Sequence, residues 1–157
     1  MKPTGKTNVM RVLDSLQIPY ESHFYGEDAS LSGTEVARLL GEDPDRVFKT
    51  LVTEGKSGQN YVFVIPVREE LDLKKAAKVS GEKAIDMIRQ KELLPLTGYI
   101  HGGCSPIGMK KPFPGFLDET AELFDTVCVS AGKVGAQVEL APQDLIRAAS
   151  LTTADLV

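Results

Sequence analysis

The sequence predicts a single α+β domain built on a mixed, mostly antiparallel sheet that curls around a core and is flanked by helices. Three observations carry this. The chain has 157 residues, enough for one domain with a sizeable core. Its middle and its C-terminal third hold paired runs of β-branched and aromatic residues joined by turn signals. Helical patterns lie between these runs without regular βαβα alternation, which disfavours a doubly wound parallel sheet.

Taken in order, "TNVMRVLDSLQ" (7–17) reads as a helix, with Val9, Leu13 and Leu16 on one face and Val12 beside them. Pro19 ends it. A short strand is expected from Tyr20 to Tyr25. "SGTEVARLLG" (32–41) reads as a second helix, because Ser32 and Glu35 have capping-box spacing and Gly41 supplies a stop. "DPDR" (43–46) reads as a brief turn with Pro44 at a first helical position.

"VFKTLVTEG" (47–55) and "NYVFVIPV" (60–67) then read as two strands of a hairpin around "GKSGQ". Pro66 places the end or an edge of the second strand there. "LDLKKAAKVSG" (71–81) reads as a helix capped by Asp72, and "EKAIDMIRQKELL" (82–94) as another. "TGYIHGG" (97–103) is a possible strand. "FDTVCVSAG" (124–132) and "AQVELAP" (136–142) form a second strand–turn–strand unit. "PQDLIRAAS" (142–150) closes as a helix with Pro142 near its start. No repeat, low-complexity tract or linker divides the chain, so one domain over residues 1–157 is expected.

Composition excludes several classes. The longest apolar stretch, "YVFVIPV" (61–67), is far short of the ~20 residues of a membrane span. The N-terminal "MKPTGKTNVMRV" is too polar for a signal peptide, and a cytoplasmic location is expected. Net charge is −4, which argues against bulk polyanion binding. Lys74, Lys75, Lys78, Lys83, Lys110, Lys111 and Lys133 still leave room for a local phosphate-facing surface, although solvated lysines are the plainer reading. Cys104 and Cys128 form no CxxC, and with His23 and His101 they make no zinc pattern by spacing. Neither a metal nor a cofactor is expected. The absence of a Walker A pattern and of a GxGxxG after a strand disfavours a nucleotide cofactor.

Six places hold residues capable of chemistry. Lys49 lies between apolar neighbours in a predicted strand, so it deters edge pairing or lines a polar cavity where desolvation lowers its pKa. "GGCSP" (102–106) is either an ordinary Gly/Pro turn or a rigid backbone cradle for an anion or oxyanion. Cys104 with His101 is a weak case for a nucleophile pair against a packed cysteine. Ser130 donates to a ligand or stabilises its turn. Asp144 suits the first turn of the last helix, and Tyr25 suits a pocket wall or the core. His23 reads as structural or exposed, and Cys128 as core. No GxSxG surrounds Ser130.

Several of these pieces coincide in order. "FKTLV" (48–52), "LDLKKAAK" (71–78), "TGYIHGGCSPIGMKK" (97–111), "VCVSAGKVG" (127–135) and "VELAPQDL" (138–145) resemble the YbaK family. Its members are free-standing relatives of the editing domain inserted in bacterial prolyl-tRNA synthetases, and the likeness spans nearly the whole chain. The resemblance implies the YbaK editing-domain fold and trans-editing, the hydrolysis of the ester that joins a wrong amino acid to the tRNA 3′ end. The form "GGxSPxGxKK" is similar to the Cys-tRNA(Pro) deacylases. Cysteine and proline are close in size, and apolar size discrimination supplies only ~1–3 kcal/mol, so a second sieve is needed.

By position, the resemblance implies that Lys49 holds and polarises the aminoacyl ester or a nearby phosphate. It implies that Gly102, Gly103, Cys104, Ser105 and Pro106 form the loop whose backbone orients the carbonyl, with Gly102 foremost. Tyr25, Phe48, Thr50 and Ser130 match pocket positions, and Asp144 an acidic position in the last motif. In the cysteine-selective branch the substrate's own thiol attacks its carbonyl and the protein supplies orientation and charge. Mischarged tRNA is the implied partner, with prolyl-tRNA synthetase alongside. The alternatives are a deacylase of the same fold for another small amino acid such as alanine, and a non-catalytic module that binds aminoacyl-tRNA or a synthetase. The chain departs from the family pattern in a shortened "GEDASLSGTE" (26–35), Ser32 in place of Phe, Cys104 in place of an aliphatic residue, and "SAGKVG" in place of "SGGKRG". The first three are expected to alter pocket size and the last to weaken tRNA contact.

Overall fold

The computed structural model describes residues 5–157. Residues 1–4, the start of the segment read as too polar for a signal peptide, lie outside the described residues. The helices are α1 (Asn8–Ser15), α2 (Gly33–Leu40), α3 (Leu73–Ser80), α4 (Gln90–Thr97) and α5 (Pro142–Ala149). The strands are β1 (Glu21–Phe24), β2 (Phe48–Gly55), β3 (Asn60–Pro66), β4 (Ile85–Met87), β5 (Gly115–Asp118), β6 (Val127–Ser130), β7 (Ala136–Leu140) and β8 (Leu151–Ala154). No described helix is long and apolar enough to cross a membrane.

The expected curled sheet is two sheets. One is three-stranded and antiparallel in the order β1-β7-β6, and the other is five-stranded in the order β4-β2-β3-β5-β8. A single parallel bridge between Val47 and Cys128 joins them. Within the larger sheet β4-β2-β3 is antiparallel, whereas β3-β5-β8 is parallel.

β3 explains the layering. Its apolar run is buried from Tyr61 to Pro66, as a strand covered on both faces requires. Val62 and Val64 face the main core with Val9, Leu13, Leu117, Val129 and Val138. Tyr61, Phe63 and Ile65 face a second core with Ala76 of α3, Ile85 and Leu156. Pro66 ends the strand, where its missing N–H breaks no ladder bond.

Local signals behave as the sequence implies at most ends. Ser32 and Glu35 form a reciprocal capping box, and Gly41 closes α2 in the left-handed region at φ 69°. Asp72 accepts from the N–H groups of Lys74 and Lys75 at 2.9 and 3.1 Å.

Two expectations are corrected. Residues 82–94 are not one helix. Ile85–Met87 pairs with Thr53–Gly55 and completes the edge of the larger sheet. The helix is delayed to Gln90, where Glu92 accepts the Arg89 N–H at 2.9 Å. Residues 97–103 are not a strand. Gly98 ends α4 at φ 82°, and the Tyr99 hydroxyl donates to the Ile107 carbonyl at 2.6 Å, which folds the segment back on itself. β5, β8 and a 3-10 turn at Glu119–Leu123 have no counterpart in the sequence reading. β5 and β8 are four-residue strands in parallel pairings, so no hairpin turn announces them.

Candidate active site

β2 starts beside the smaller sheet and carries Lys49 into a cavity of about 380 Å³. The cavity lies between the start of β2, the first turn of α2, the 98–104 segment and the ends of β6 and β7. Its volume is in the range of small-molecule sites, ~300–1,000 Å³. Leu31, Val36, Phe48, Val67 and Leu93 supply apolar wall. Polar groups enter from Tyr25, Lys49, Thr50, Ser130 and Gln137.

The α2 end of the cavity is tight. A Cβ on Gly33 would stand 2.5 Å from Val67 Cγ1, so the helix start and the residue after β3 touch without a side chain between them. Ser32 caps that helix and also lines the cavity, so the residue that departs from the family pattern does lie at the pocket wall.

Lys49 is half-buried and pairs with Ile65 across the hairpin. Among the described residues it makes no ion pair within 4 Å. Burial pushes its pKa below the ordinary lysine value, with the more distant charges of Glu70 and Glu69 opposing. Two neighbouring polar atoms are also unpaired. Thr50 Oγ1 and Gln137 Oε1 are buried without a hydrogen-bond partner. Such atoms are uncommon in folded proteins and each calls for an explanation. Both lie in the wall of the cavity that Lys49 enters.

The glycine loop is a tight turn. The Gly103 N–H donates to the Ile100 carbonyl at 3.0 Å, and Gly102 occupies the third position at φ 86°. That sign of φ is what a type II turn requires there. Gly103 is packed: a Cβ would stand 2.9 Å from the Lys133 carbonyl carbon and the Val134 nitrogen. The loop is therefore rigid because it leans on the backbone of the β6–β7 turn. Its Gly103 N–H is already committed, and Gly102 and Cys104 are the loop residues that line the cavity.

The structure brings Tyr25, Phe48, Lys49, Thr50, Gly102, Cys104 and Ser130 to one cavity. Gly103, Ser105, Pro106 and Asp144 do not line it. Ser105 is buried, and its Oγ accepts the Ile107 N–H at 3.2 Å. Pro106 faces a separate cavity of about 250 Å³ with Phe113 and Leu151. Asp144 sits in the first turn of α5, its N–H bonded to the Ala141 carbonyl at 3.0 Å.

Cys104 and His101 both touch the cavity. Burial pushes the Cys104 thiol up to about 12, with a hydrogen bond involving Thr97 opposing, so it is held as a thiol at neutral pH. The Ser130 hydroxyl accepts the Gly132 N–H at 3.2 Å, and burial pushes the Tyr25 phenol up, which keeps it a donor.

Sequence reasoning missed Gln137. The alternation in "AQVEL" puts Ala136, Val138 and Leu140 toward the core, which leaves Gln137 on the polar face. Only the layer above that face makes Gln137 a buried cavity residue, 4% exposed.

Known proteins carry the same plan. Residues 28–148 match the aminoacyl-tRNA editing domain family. A protein of Enterococcus faecalis, EbsC, provisionally named a Cys-tRNA(Pro)/Cys-tRNA(Cys) deacylase, is 49% identical over 146 residues, covering 92% of this chain and 89% of its own. A crystal structure described provisionally as a trans-editing enzyme for prolyl-tRNA synthetase superposes with TM-score 0.81 at 25% identity, covering 98% of each chain. The hypothetical protein APE2540 shares the fold at TM-score 0.87 and 23% identity, over 96% of this chain and 99% of its own. With its expected elements, its lysine-bearing cavity and a match over most of its length, the chain belongs to the aminoacyl-tRNA editing domain family.

Proposed function

We propose that this protein is a trans-editing deacylase, a single editing domain that cleaves the ester of mischarged Cys-tRNA(Pro). The observation that carries the reading is Lys49, a half-buried cation with no ion-pair partner among the described residues, in a cavity where Thr50 Oγ1 and Gln137 Oε1 are also unpaired. A bound aminoacyl ester satisfies all three. Lys49 donates to the carbonyl oxygen as negative charge develops there. Thr50 donates to the substrate, and Gln137 accepts from its α-amino group. The Gly102 backbone closes the mouth over the 3′ end.

In this reading the substrate thiol is the nucleophile. Its sulfur forms a bond to the ester carbonyl carbon, the bond from that carbon to the ribose oxygen breaks, and the thiol proton ends on the ribose hydroxyl. Water then opens the four-membered thiolactone. Cys104, held as a thiol, lines the pocket and takes no part in bond making. The exposed Lys110, Lys111 and Lys133 are placed to meet tRNA phosphates. Prolyl-tRNA synthetase, which already holds the tRNA, is the proposed partner, and the cytoplasm the proposed location.

The test is a panel of tRNA(Pro) charged with cysteine, alanine or serine, with and without prolyl-tRNA synthetase. Faster release of cysteine than of the isosteric serine supports the thiol route. Equal cleavage of the alanyl ester removes that route and leaves a small-residue deacylase. Binding of every charged tRNA without cleavage of any shows a recognition module instead.

A further inference from the structure

The polar face of the smaller sheet continues past the cavity. Cross-strand pairs share a face, so Ser130 and Gln137 at one end are followed by Cys128 and Glu139 at the other. His23 pairs with Gln137 from β1 and lies on the same face. Glu42, just beyond α2, comes down onto it. Here the Cys128 thiol donates to Glu42 Oε2 at 3.6 Å, and His23 Nε2 stands 3.9 Å from that same oxygen. One donor atom from each of His23, Glu42 and Cys128 lies within 4.8 Å of the others.

The Glu42 side chain is only 6% exposed, and its Oε1 is buried without a hydrogen-bond partner. A buried carboxylate with an unpaired oxygen, beside a thiol and an imidazole, has no lysine or arginine bonded to it among the described residues, the contact that normally offsets such burial. Arg46 does not fill that place. Its guanidinium bonds Glu139 Oε2 at 2.9 Å and Thr126 Oγ1 at 2.8 Å. Arg46 is committed to Glu139 and acts on Glu42 only at longer range, so Glu42 Oε1 is left without a bonded partner among the described residues.

We propose that His23 Nε2, the Glu42 carboxylate and Cys128 Sγ form a binding site for a divalent cation of the zinc class. Mixed nitrogen, oxygen and sulfur donors are the set zinc takes, with bonds of about 2.0–2.3 Å. Tetrahedral geometry with such bonds separates donors by about 3.3–3.7 Å, so the Cys128–Glu42 spacing of 3.6 Å already fits and His23 has to approach Glu42 from 3.9 Å by roughly half an ångström. The cation replaces the proton that Cys128 now shares with Glu42, and that proton leaves to solvent. Cation plus thiolate bring the buried cluster to neutrality. His23 turns Nε2 from Glu139 Oε1, now 2.7 Å away, toward the cation, and that oxygen is placed to follow as a fourth donor. Cys128 is fully buried while the His23 side chain is 29% exposed, so entry is from the His23 side.

The site ties β1 and β6 to the segment after α2, across the seam where Val47 bridges to Cys128. It lies two residues along β6 from Ser130 and along β7 from Gln137. Its occupancy therefore braces the floor of the cavity.

The experiment is titration of the untagged, reduced, metal-stripped chain with Co(II) and with Zn(II). One Co(II) per chain is expected, with a thiolate-to-cobalt charge-transfer band in the near ultraviolet that Zn(II) displaces. His23→Gln, which changes a partly exposed residue, and Glu42→Gln are each expected to weaken binding by at least about 10- to 100-fold, the loss that even an outer-shell partner causes. Cys128→Ser should abolish the band, whereas Cys104→Ser should retain it. A folded wild-type chain without the band overturns the site. So does a band that His23→Gln leaves at full affinity, or one that Cys104→Ser removes.

Discussion

Lys49, in the role proposed for it, sets a cost in stability against chemistry at a single residue. Its folded pKa lies below the unfolded value, so between the two the unfolded chain binds more protons and stability rises with pH. Below the folded pKa the buried charge is a standing cost. Lys49→Met keeps the length and removes the charge. Calorimetry should show a melting temperature raised by a few degrees at neutral pH, while deacylation falls by on the order of 10²–10³-fold. Loss of activity with loss of stability would instead mark Lys49 as structural. In the wild type, activity corrected for spontaneous ester hydrolysis should decline with rising pH from below the ordinary lysine value of 10.5, as the ammonium is lost. Gly102 makes a second case. Its φ of 86° allows no easy side chain, yet a Cβ there meets nothing closer than 3.5 Å. Gly102→Ala should therefore cost about 1–2 kcal/mol by denaturant unfolding and reduce kcat through the displaced mouth.

At the scale of elements, those announced by local chemistry fall where the sequence puts them. The Ser32–Glu35 box and the Asp72 cap act within a few bonds of their own backbone, so neighbours in sequence suffice to specify them. Ser32→Ala should lower stability by about 1 kcal/mol and, because the α2 start lines the cavity, alter discrimination among small amino acids in the mischarged panel. Elements that depend on a distant partner were not legible. "EKAIDMI" has good helix formers, yet the exposed edge of β2 takes Ile85–Met87 as a strand, because pairing satisfies backbone groups that a helix there would leave open. β8 is recognised only by β5, to which it is parallel. Residues after it are anchored too: Leu156 is buried, its N–H donates to Asp118 Oδ1 at 2.9 Å, and its carbonyl accepts the Asp72 N–H at 2.8 Å. Removal of residues 151–157 should uncover the β5 edge and yield a chain that aggregates on sizing columns.

Across the whole molecule, the net charge of −4 and the exposed lysines near the loop set opposing expectations for tRNA. Lys133 is exposed on the turn against which Gly103 packs. Lys133→Ala should weaken tRNA binding and reduce its salt slope by about one, with cleavage of a minimal aminoacyl ester unchanged. The sequence by itself determined the α+β class, the order of the main helices and the hairpin, the caps, and Lys49 and Gly102 as residues worth suspicion. These rest on periodicity and on short-range hydrogen bonds, which neighbouring residues control. Tertiary structure alone decided that the sheet is two sheets joined at Val47 and Cys128, and that Gln137 is buried with an unpaired oxygen. It also decided that Ser105 and Pro106 serve the loop's packing away from the cavity, and that His23, Glu42 and Cys128 converge. Each of these depends on which strand faces which across the interior. Chain spacing carries no record of that, because burial and charge at a site come from every element that closes over it.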